Sequence, residues 1–117
     1  MRELREIDVG EWQGLTWPDI EGRFPDGARA YSERGYGWES GETYEQLAER
    51  VVPALRQIAD AHPDGRALVV GHGGTIRATR AFIAGSSVAD SRRRDRAVGN
   101  CEIFRILVED GRFRGID

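Results

Sequence analysis

His72 is the residue whose surroundings in this sequence most clearly favour chemistry. It follows the short apolar run Leu68–Val70 and precedes two glycines, Gly73 and Gly74, after which a helical pattern begins. In open α/β sheets, ligands bind beyond the carboxyl ends of the strands, and the free N–H groups at a helix start attract anions. An imidazole at such a place could hold a phosphoryl group or receive it. The residues alone fit a core histidine in a hydrogen-bonded turn, or an oxyanion loop, as well.

Other polar residues are weaker candidates when they are judged from the residues alone. Glu6 lies in an acidic segment that is typical of a solvated surface. Arg77 comes one turn into the helix after His72, where it could brace a ligand pocket or point into solvent. His62 lies in Ala-His-Pro-Asp at a predicted helix end, where capping the terminus is a sufficient role. The run Arg92–Arg96 could recruit a phosphorylated substrate, but a solvated charge run is the favoured interpretation.

Several further residues have mainly structural interpretations. We expect Arg50 to pair with a nearby acid rather than to contact phosphate. Glu42 precedes a helix N-cap, where the helix dipole stabilises a carboxylate, and a functional role stays open for it as well. Cys101 opens a predicted strand, where a free cysteine behaves as a small buried hydrophobe. Four aromatic residues could line a substrate entrance, although aromatic residues in a small domain mostly fill the core: Trp12, Trp17, Tyr36 and Trp38.

Three helices are predicted to position these residues. They cover about Trp17–Phe24, Thr43 to about His62, and Thr75–Ala84. The first has a proline near its first position, which favours a helix start. The second opens with the capping-box pattern of Thr43 and Gln46, and an apolar stripe of 3.6-residue period follows. Gly85 closes the third.

The remaining segments are predicted as strands and irregular connections. Arg66–Gly71 is a short apolar run between turn signals, the pattern of a buried parallel strand. Residues 27–41 are rich in glycine and aromatic residues and predict a surface loop or lid, and residues 86–99 predict a polar connection. Cys101–Val108 and Arg112–Ile116 flank an Asp-Gly turn and predict a C-terminal hairpin.

Length and composition exclude several classes of protein. The chain has 117 residues, of which 39% are hydrophobic and 32% charged, which predicts one soluble globular domain. A net charge of −3 does not favour nucleic-acid binding, and the apolar runs are far too short to cross a bilayer. A single cysteine agrees with a reducing compartment, and the N-terminus lacks the apolar stretch of a secretory signal. We therefore expect a cytoplasmic protein that binds neither membranes nor nucleic acids.

Four pieces of the sequence, in order along nearly the whole chain, resemble the histidine phosphatase superfamily, the phosphoglycerate mutase-like enzymes. Leu4–Gly14 is similar to the family's segment with the acid/base glutamate, and Gly41-Glu42-Thr43 resembles the Gly-Glu-Ser start of its long helix. Val69–Arg77 resembles the motif of the family's second histidine, and Gly99-Asn100 is similar to the residues before its last strands. Each piece alone is a weak or moderate signal, but the combination is highly specific.

The resemblance implies a fold and a set of roles. The fold is α/β, a partial three-layer α/β/α sandwich of the phosphoglycerate mutase-like type with a C-terminal β-hairpin. Glu6 matches the acid/base residue that protonates the leaving oxygen, and His72 matches the second histidine, which holds the phosphoryl group. Gly73, Gly74 and Arg77 are then expected to bind the phosphorylated small-molecule substrate. No metal or other cofactor is implied, because arginine, histidine and backbone donors meet the charge of the phosphoryl oxygens.

One part of the family pattern is missing from these residues. The family's nucleophile is a histidine in an Arg-His-Gly motif on the first strand, and the sequence contains no Arg-His-Gly. We therefore expect residues 1–117 to be a single incomplete domain, truncated before its nucleophile. The leading interpretation is a phosphomonoester phosphatase that acts through phosphohistidine, with phosphoglycerate mutase as the alternative among enzymes. A non-catalytic remnant, or a binding or regulatory module, stays open.

The missing part also predicts self-association. The resemblance places the strand that ends at Val70 beside the strand that carries the nucleophile. Without that neighbour, the strand presents unpaired N–H and C=O groups next to apolar side chains. We therefore expect a homodimer that forms through this sheet edge.

Overall fold

The computed structural model of the chain describes residues 1–94 and 97–116. Within them it contains five α-helices and one β-hairpin, together with 3₁₀ turns at Arg2–Leu4 and Gly10–Trp12. In chain order these elements are α1 (Trp17–Arg23), α2 (Pro25–Arg34), α3 (Tyr44–Ala61), α4 (Gly73–Ala84), α5 (Val88–Arg94), β1 (Ile106–Glu109) and β2 (Arg112–Gly115). None of the helices in the described ranges combines the length and apolar character needed to cross a membrane.

Helix α1 forms where the sequence predicts it. The side chain of Thr16 accepts the N–H of Asp19, and the Asp19 carboxylate accepts the N–H of Thr16 at 3.1 Å. This capping box satisfies two N–H groups that a helix start leaves without partners. The predicted helix over Trp17–Phe24 is therefore confirmed to within one residue.

Helix α2 occupies much of the segment that the sequence predicts as a loop. Pro25 starts the helix with a suitable φ angle, and Gly35 ends it in the left-handed region with a φ of 76°. The ring of Tyr31 on this helix lies 5.9 Å from the ring of Trp12. The loop prediction for residues 27–41 is wrong over α2, because packing against aromatic rings stabilises a helix that the glycine-rich sequence does not favour by itself.

Aromatic side chains fill the centre of the N-terminal part of the molecule. Trp38 is 3% exposed, and its ring lies 5.7 Å from Trp12 and 5.8 Å from Tyr44 in edge-to-face arrangements. The indole N–H of Trp38 donates to the carbonyl of Glu42 at 2.8 Å, so its polar group is satisfied inside the core. The core interpretation is confirmed for Trp12 and Trp38, and Tyr36 packs partly buried against them, but the interpretation is wrong for Trp17, which is 39% exposed.

Helix α3 also forms as its sequence predicts. Gln46 donates its N–H to the Thr43 hydroxyl at 3.1 Å, and its side chain accepts the N–H of Thr43 at 2.9 Å. Leu47 and Val51 on the apolar stripe are both 0% exposed. Full burial of such a side chain is worth about 1.5–3 kcal/mol. These residues make α3 the helix against which α4 and the N-terminal segment pack.

Helix α5 lies in the segment that the sequence predicts as a polar connection. Ser87 accepts the N–H of Asp90 at 3.1 Å at its start, and Val88 is 5% exposed. The prediction for residues 86–99 is wrong over α5, because burial of Val88 stabilises a helix whose sequence shows little apolar periodicity. Helix α4, in contrast, is confirmed and begins two residues before its predicted start.

Arg92 on α5 is a structural residue. Its guanidinium lies 4.7 Å from the centre of the Tyr31 ring, and its Nη1 donates to the carbonyl of Gly35 at 2.6 Å. The interpretation as a solvated charge is therefore wrong at Arg92. The structure does not describe the side chains of the rest of that run, residues 93–96.

The segment Arg66–Gly71 is exposed, in contrast to the buried strand that its sequence predicts. Leu68 and Val70 are 87% and 86% exposed. Across the described ranges, the only ladder joins β1 and β2, so burial is predicted wrongly here because no described strand lies beside the segment. The accessible surface is 8144 Å², compared with about 6,400 Å² for a compact protein of this mass.

The C-terminal hairpin forms at the predicted turn. Asp110 and Gly111 both have positive φ angles, 49° and 72°, as in a tight two-residue turn. The first strand is shorter than predicted, since it begins at Ile106 rather than at Cys101. Cys101 is exposed and has a φ of 57°, a left-handed conformation that interrupts a strand. The predicted burial of Cys101 is therefore wrong.

Arg56 connects the hairpin to the helices. Its guanidinium on α3 lies 5.5 Å from the ring of Phe82 and 5.4 Å from the ring of Phe113. Its Nη1 donates to the carbonyl of Gly111 at 3.0 Å. These contacts hold the hairpin against α3 and α4.

Candidate functional site

Glu6 lies at the start of α4, although the two are 68 residues apart in the sequence. Its Oε2 accepts the N–H of Gly74 at 3.2 Å, and its Oε1 accepts the N–H of Ile7 at 2.8 Å. The first N–H groups of a helix lack partners within the helix and carry partial positive charge. Helix α4 has no acidic residue in its own first turn. Glu6 supplies, from a distant segment, the carboxylate that this helix start favours.

Gly74 is the glycine that permits this approach. A Cβ atom at Gly74 would lie 2.0 Å from Oε1 of Glu6 and 3.4 Å from the side chain of Leu47. Of the described residues, a Cβ atom at Gly73 would meet only Val98, at an ordinary contact distance of 3.9 Å. Within the described part of the chain, the N–H of Gly73 has no hydrogen-bond partner. Gly74 therefore admits the carboxylate, and Gly73 offers a free donor beside it.

His72 is the N-cap residue of α4, and it is exposed. Thr75 fixes its backbone: the Thr75 hydroxyl accepts the N–H of His72 at 3.1 Å and donates to the His72 carbonyl at 2.7 Å. The imidazole stays accessible to a ligand next to the free N–H of Gly73. Sequence reasoning missed Thr75, although a hydroxyl three residues after a helix N-cap is a recognisable signal.

Arg77 is brought near the site by the helix but is not tied into it. It lies half-buried one turn into α4. In the ranges that the structure describes, no hydrogen bond or ion pair involves its side chain. Its guanidinium can therefore reorient toward a ligand.

Arg50 and Glu42 form an ion pair beside the Glu6 segment. Nε of Arg50 lies 2.6 Å from Oε1 of Glu42, and its Nη2 donates to Oε2 at 2.8 Å. The hydrogen bonds from Arg50 lower the pKa of Glu42, and the same contact raises the pKa of Arg50. The expectation that Arg50 pairs with an acid is confirmed.

The same ion pair joins two segments of the chain. Oε2 of Glu42 accepts the N–H of Asp8 at 3.2 Å, and the N–H of Glu42 donates to the Asp8 carbonyl at 2.8 Å. Gly41 has a φ of 98°, and a Cβ atom there would lie 2.5 Å from the Asp8 carbonyl oxygen. The start of α3 and the Glu6 segment are therefore held in direct backbone contact.

His62, the other histidine of the sequence, does not join the site. Nδ1 of His62 lies 3.0 Å from the carbonyl oxygen of Ile58, at the C-terminal end of α3. This agrees with the predicted role at a helix end. Within residues 1–94 and 97–116, no group of three His, Cys, Asp or Glu side chains is placed to hold a metal ion.

The structure thus brings together a carboxylate, the free backbone N–H of Gly73 at a helix start and the exposed His72. Glu6, His72, Gly73 and Gly74 are all residues that the sequence predicts for the site. Backbone donors and an imidazole can hold the oxygens of an oxyanion. A carboxyl group beside them can give a proton to such a ligand or take one from it.

Comparisons with known proteins give the site a context. A family model described as "Histidine phosphatase superfamily (branch 1)" matches residues 1–116. The chain is 38% identical over 90 residues to the metal-independent phosphoserine phosphatase of Arabidopsis thaliana, a match that covers 74% of this chain. Among solved structures it superposes on Bacillus stearothermophilus YhfR, with a TM-score of 0.88 and 23% identity over 98% of this chain. The mycobacterial glucosyl-3-phosphoglycerate phosphatase Rv2419c gives a TM-score of 0.79 and 25% identity over 99% of this chain.

The chain spans only part of each of these proteins. The match covers 38% of the phosphoserine phosphatase, 57% of the YhfR chain and 62% of the Rv2419c chain. Over that part, the high TM-scores show that the helices and the hairpin are arranged as in the longer chains. The predicted α/β fold with its C-terminal hairpin is thereby confirmed.

Proposed function

The chain belongs to the histidine phosphatase superfamily, and on that basis we propose that it carries the proton-transferring and phosphate-binding part of a phosphomonoester phosphatase. Glu6 is the general acid and base. His72 and the N–H of Gly73 hold the phosphoryl oxygens, while the N–H of Gly74 holds the Glu6 carboxylate beside them. Arg77, one turn further along α4, braces the same group.

The contact between Glu6 and Gly74 is the observation that carries this proposal. A general acid must lie within reach of the oxygen that leaves, while other groups hold the remaining phosphoryl oxygens. The 3.2 Å hydrogen bond brings a carboxylate and a helix start side by side across 68 residues of sequence. A helix start that attracts a carboxylate also presents its positive end and its remaining free donor, the N–H of Gly73, to phosphoryl oxygens.

The reaction needs a nucleophile in addition to these groups. His62 is bound to the end of α3, and His72 holds the supporting position in the family motif. We infer that residues 1–117 form the second half of the catalytic domain, and that a histidine on an Arg-His-Gly strand joins it from outside these residues.

The proposed reaction has two steps. In the first, a nitrogen of that imidazole bonds to phosphorus as the ester P–O bond breaks, and the carboxyl group of Glu6 protonates the leaving oxygen. In the second, water attacks phosphorus while the Glu6 carboxylate takes its proton. Phosphate and the free imidazole are then released, and Glu6 is protonated again for the next cycle.

The substrate class follows from the chemistry and from the relatives. Backbone donors, one imidazole and one arginine suit a single phosphate group, and the two named phosphatases act on phosphoserine and on glucosyl-3-phosphoglycerate. We propose a phosphorylated small molecule as the substrate and hydrolysis as the reaction. A mutase must exclude water and hold a bisphosphate, and residues 1–117 contain no long insertion for that purpose.

The test is complementation. Hydrolysis of O-phosphoserine and p-nitrophenyl phosphate is measured with the chain alone and with a separately expressed segment that carries a family member's Arg-His-Gly strand. The chain alone is expected to remain near background, since loss of a nucleophile removes several orders of magnitude of rate. With the segment, turnover is expected that Glu6→Gln abolishes and the exposed control Glu11→Gln retains.

Two results would contradict the proposal. Turnover by the chain alone through a phosphohistidine at His72 would refute the supporting role given to that residue. If the segment binds, as sedimentation would show, and no hydrolysis follows, the alternative of a non-catalytic binding module is favoured instead.

A further inference from the structure

Arg50 makes more contacts with the Glu6 segment than its ion pair requires. Its Nη1 donates to the carbonyls of Glu3 and Arg5, and its Nη2 donates to the carbonyl of Glu6 at 3.1 Å. Nε and the second hydrogen of Nη2 go to the carboxylate of Glu42. All five N–H donors of the guanidinium therefore have acceptors.

Among the described residues, the carbonyls of Glu3, Arg5 and Glu6 accept hydrogen bonds from Arg50 alone, while Asp8 further along the segment binds Glu42. After the turn Arg2–Leu4, residues 5–9 belong to no helix or strand. Leu4 is buried, but its neighbours Arg5 and Glu6 are exposed. Carbonyl groups of an extended segment are normally satisfied by the next strand, and here a side chain from α3 donates to them instead.

Arg50 acts at a distance from any substrate. Its side chain is 17% exposed and that of Glu42 is 12% exposed. With every N–H engaged, the guanidinium has no donor left for a phosphoryl oxygen. Any role of Arg50 in the site must therefore pass through the backbone that it holds.

We propose that Arg50 is a positioning residue that holds the Glu6 carboxylate against the amide of Gly74, with Glu42 fixing the orientation of its guanidinium. The clamp fixes the carbonyls on both sides of the Glu6 Cα atom, and so sets where the carboxylate can reach. That this placement serves proton transfer rests on the proposed function. The placement itself is a property of the structure and can be tested without substrate.

The amide resonance of Gly74 reports on this placement, because Glu6 is its hydrogen-bond acceptor. Glu6→Gln replaces a charged acceptor by a neutral one and should displace that resonance in the otherwise unchanged chain. In Arg50→Met, an apolar side chain of similar length, the displacement caused by Glu6→Gln is expected to fall below about half of its original size. In Arg56→Met, which removes the α3 arginine that binds Gly111, the displacement is expected to stay unchanged.

The outcomes separate positioning from general support. If Arg50→Met is folded and the full displacement persists, Arg50 is only structural and the proposal is wrong. If Arg50→Met does not fold, Glu42→Gln decides in the same experiment: a reduced displacement supports the clamp, and an unchanged one overturns it. Because no substrate is used, failure here leaves the proposed function standing, and absence of turnover in the complementation test leaves the clamp standing.

Discussion

Gly74 and Glu6 leave no room between them for a methyl group. The overlapping atom is the end of a flexible and exposed side chain, so the carboxylate can swing away at little cost. Alanine also favours a helix over glycine by about 0.5–1 kcal/mol. We therefore expect Gly74→Ala to change the free energy of unfolding by less than about 1 kcal/mol, yet to break the hydrogen bond to Glu6. Urea unfolding and the amide spectrum measure the two effects separately.

Gly73→Ala is the matched control for this substitution. Its Cβ atom would lie 3.9 Å from Val98, an ordinary contact distance, and should leave the contact of Glu6 intact. If the amide of residue 74 still responds to Glu6→Gln in the Gly74→Ala chain, the close approach is not what holds the carboxylate.

The ion pair of Glu42 with Arg50 predicts a loss of stability in acid. Hydrogen bonds from Arg50 lower the folded-state pKa of Glu42 below its ordinary value of 4.5. The stabilisation is therefore complete above that value and is lost as the pH falls through the folded-state pKa. Urea unfolding from neutral pH to about pH 3 should show a steeper decline for the wild-type chain than for Glu42→Gln.

An exposed ion pair provides the comparison for this prediction. Asp26 and Arg29 are 2.8 Å apart, but their side chains are 92% and 69% exposed. Asp26→Asn should change the free energy of unfolding by less than about 0.5 kcal/mol at any of these pH values. Equal acid slopes in the wild-type and Glu42→Gln chains would refute the stabilising role of the pair.

The start of α4 is expected to bind inorganic phosphate weakly, and Glu6 should oppose this binding. The carboxylate occupies the N–H of Gly74 and repels a second anion. Glu6→Gln should therefore raise the affinity for phosphate about two- to fivefold, the effect of one charge at a helix start. Titration followed by NMR on the ring of His72 measures it, with His62 as an internal control. Equal responses of both rings would indicate non-specific binding.

The exposed segment 66–71 is expected to pair with the same segment of a second copy. An antiparallel pair centred on Val69 places each Val69 opposite its copy and Leu68 opposite Val70. Burial of about 500 Å² of apolar surface per chain is worth about 12 kcal/mol before the costs of association. Sedimentation over a concentration series should show a dimer for the wild-type chain. Val69→Lys should give a monomer, because it places two ammonium groups opposite each other.

Ile103→Lys is the control for the dimer. Ile103 is 72% exposed but lies outside the pairing segment, so the charge there should leave association unchanged. A wild-type chain that stays monomeric and cooperatively folded at high concentration would show that the segment does not pair.

Elements with local signals could be predicted from the sequence, and elements that depend on packing could not. Helix α3 begins with side chains of its own, Thr43 and Gln46, that satisfy its first N–H groups. Helices α2 and α5 depend instead on burial of Tyr31 against Trp12 and of Val88, and neither contact leaves a periodic pattern. The prediction of a buried strand at 66–71 fails for the opposite reason. Its apolar residues are buried only if another strand lies beside them.

The residues of the candidate site also divide into those that the sequence could predict and those that it could not. Glu6 is exposed, and the acidic residues around it in the sequence indicate a surface carboxylate. Only the family resemblance singled it out as a site residue. The carbonyls that Arg50 binds could not be found in the sequence, because a backbone acceptor carries no residue type. What could be predicted was that Arg50 would find an acid.

The hydrogen bonds that hold Glu6 and its segment also determine when the site forms during folding. The contact with Gly74 spans 68 residues, that of Arg50 with the Glu6 carbonyl spans 44, and that of Asp8 with Glu42 spans 34. None of them can form within a segment that folds by itself, and each requires a long loop to close first. Helix α3 can nucleate early, whereas the carboxylate reaches Gly74 only when α3, α4 and the N-terminal segment have met. Assembly of the site therefore waits for these long-range contacts, and formation of the helices alone does not produce it.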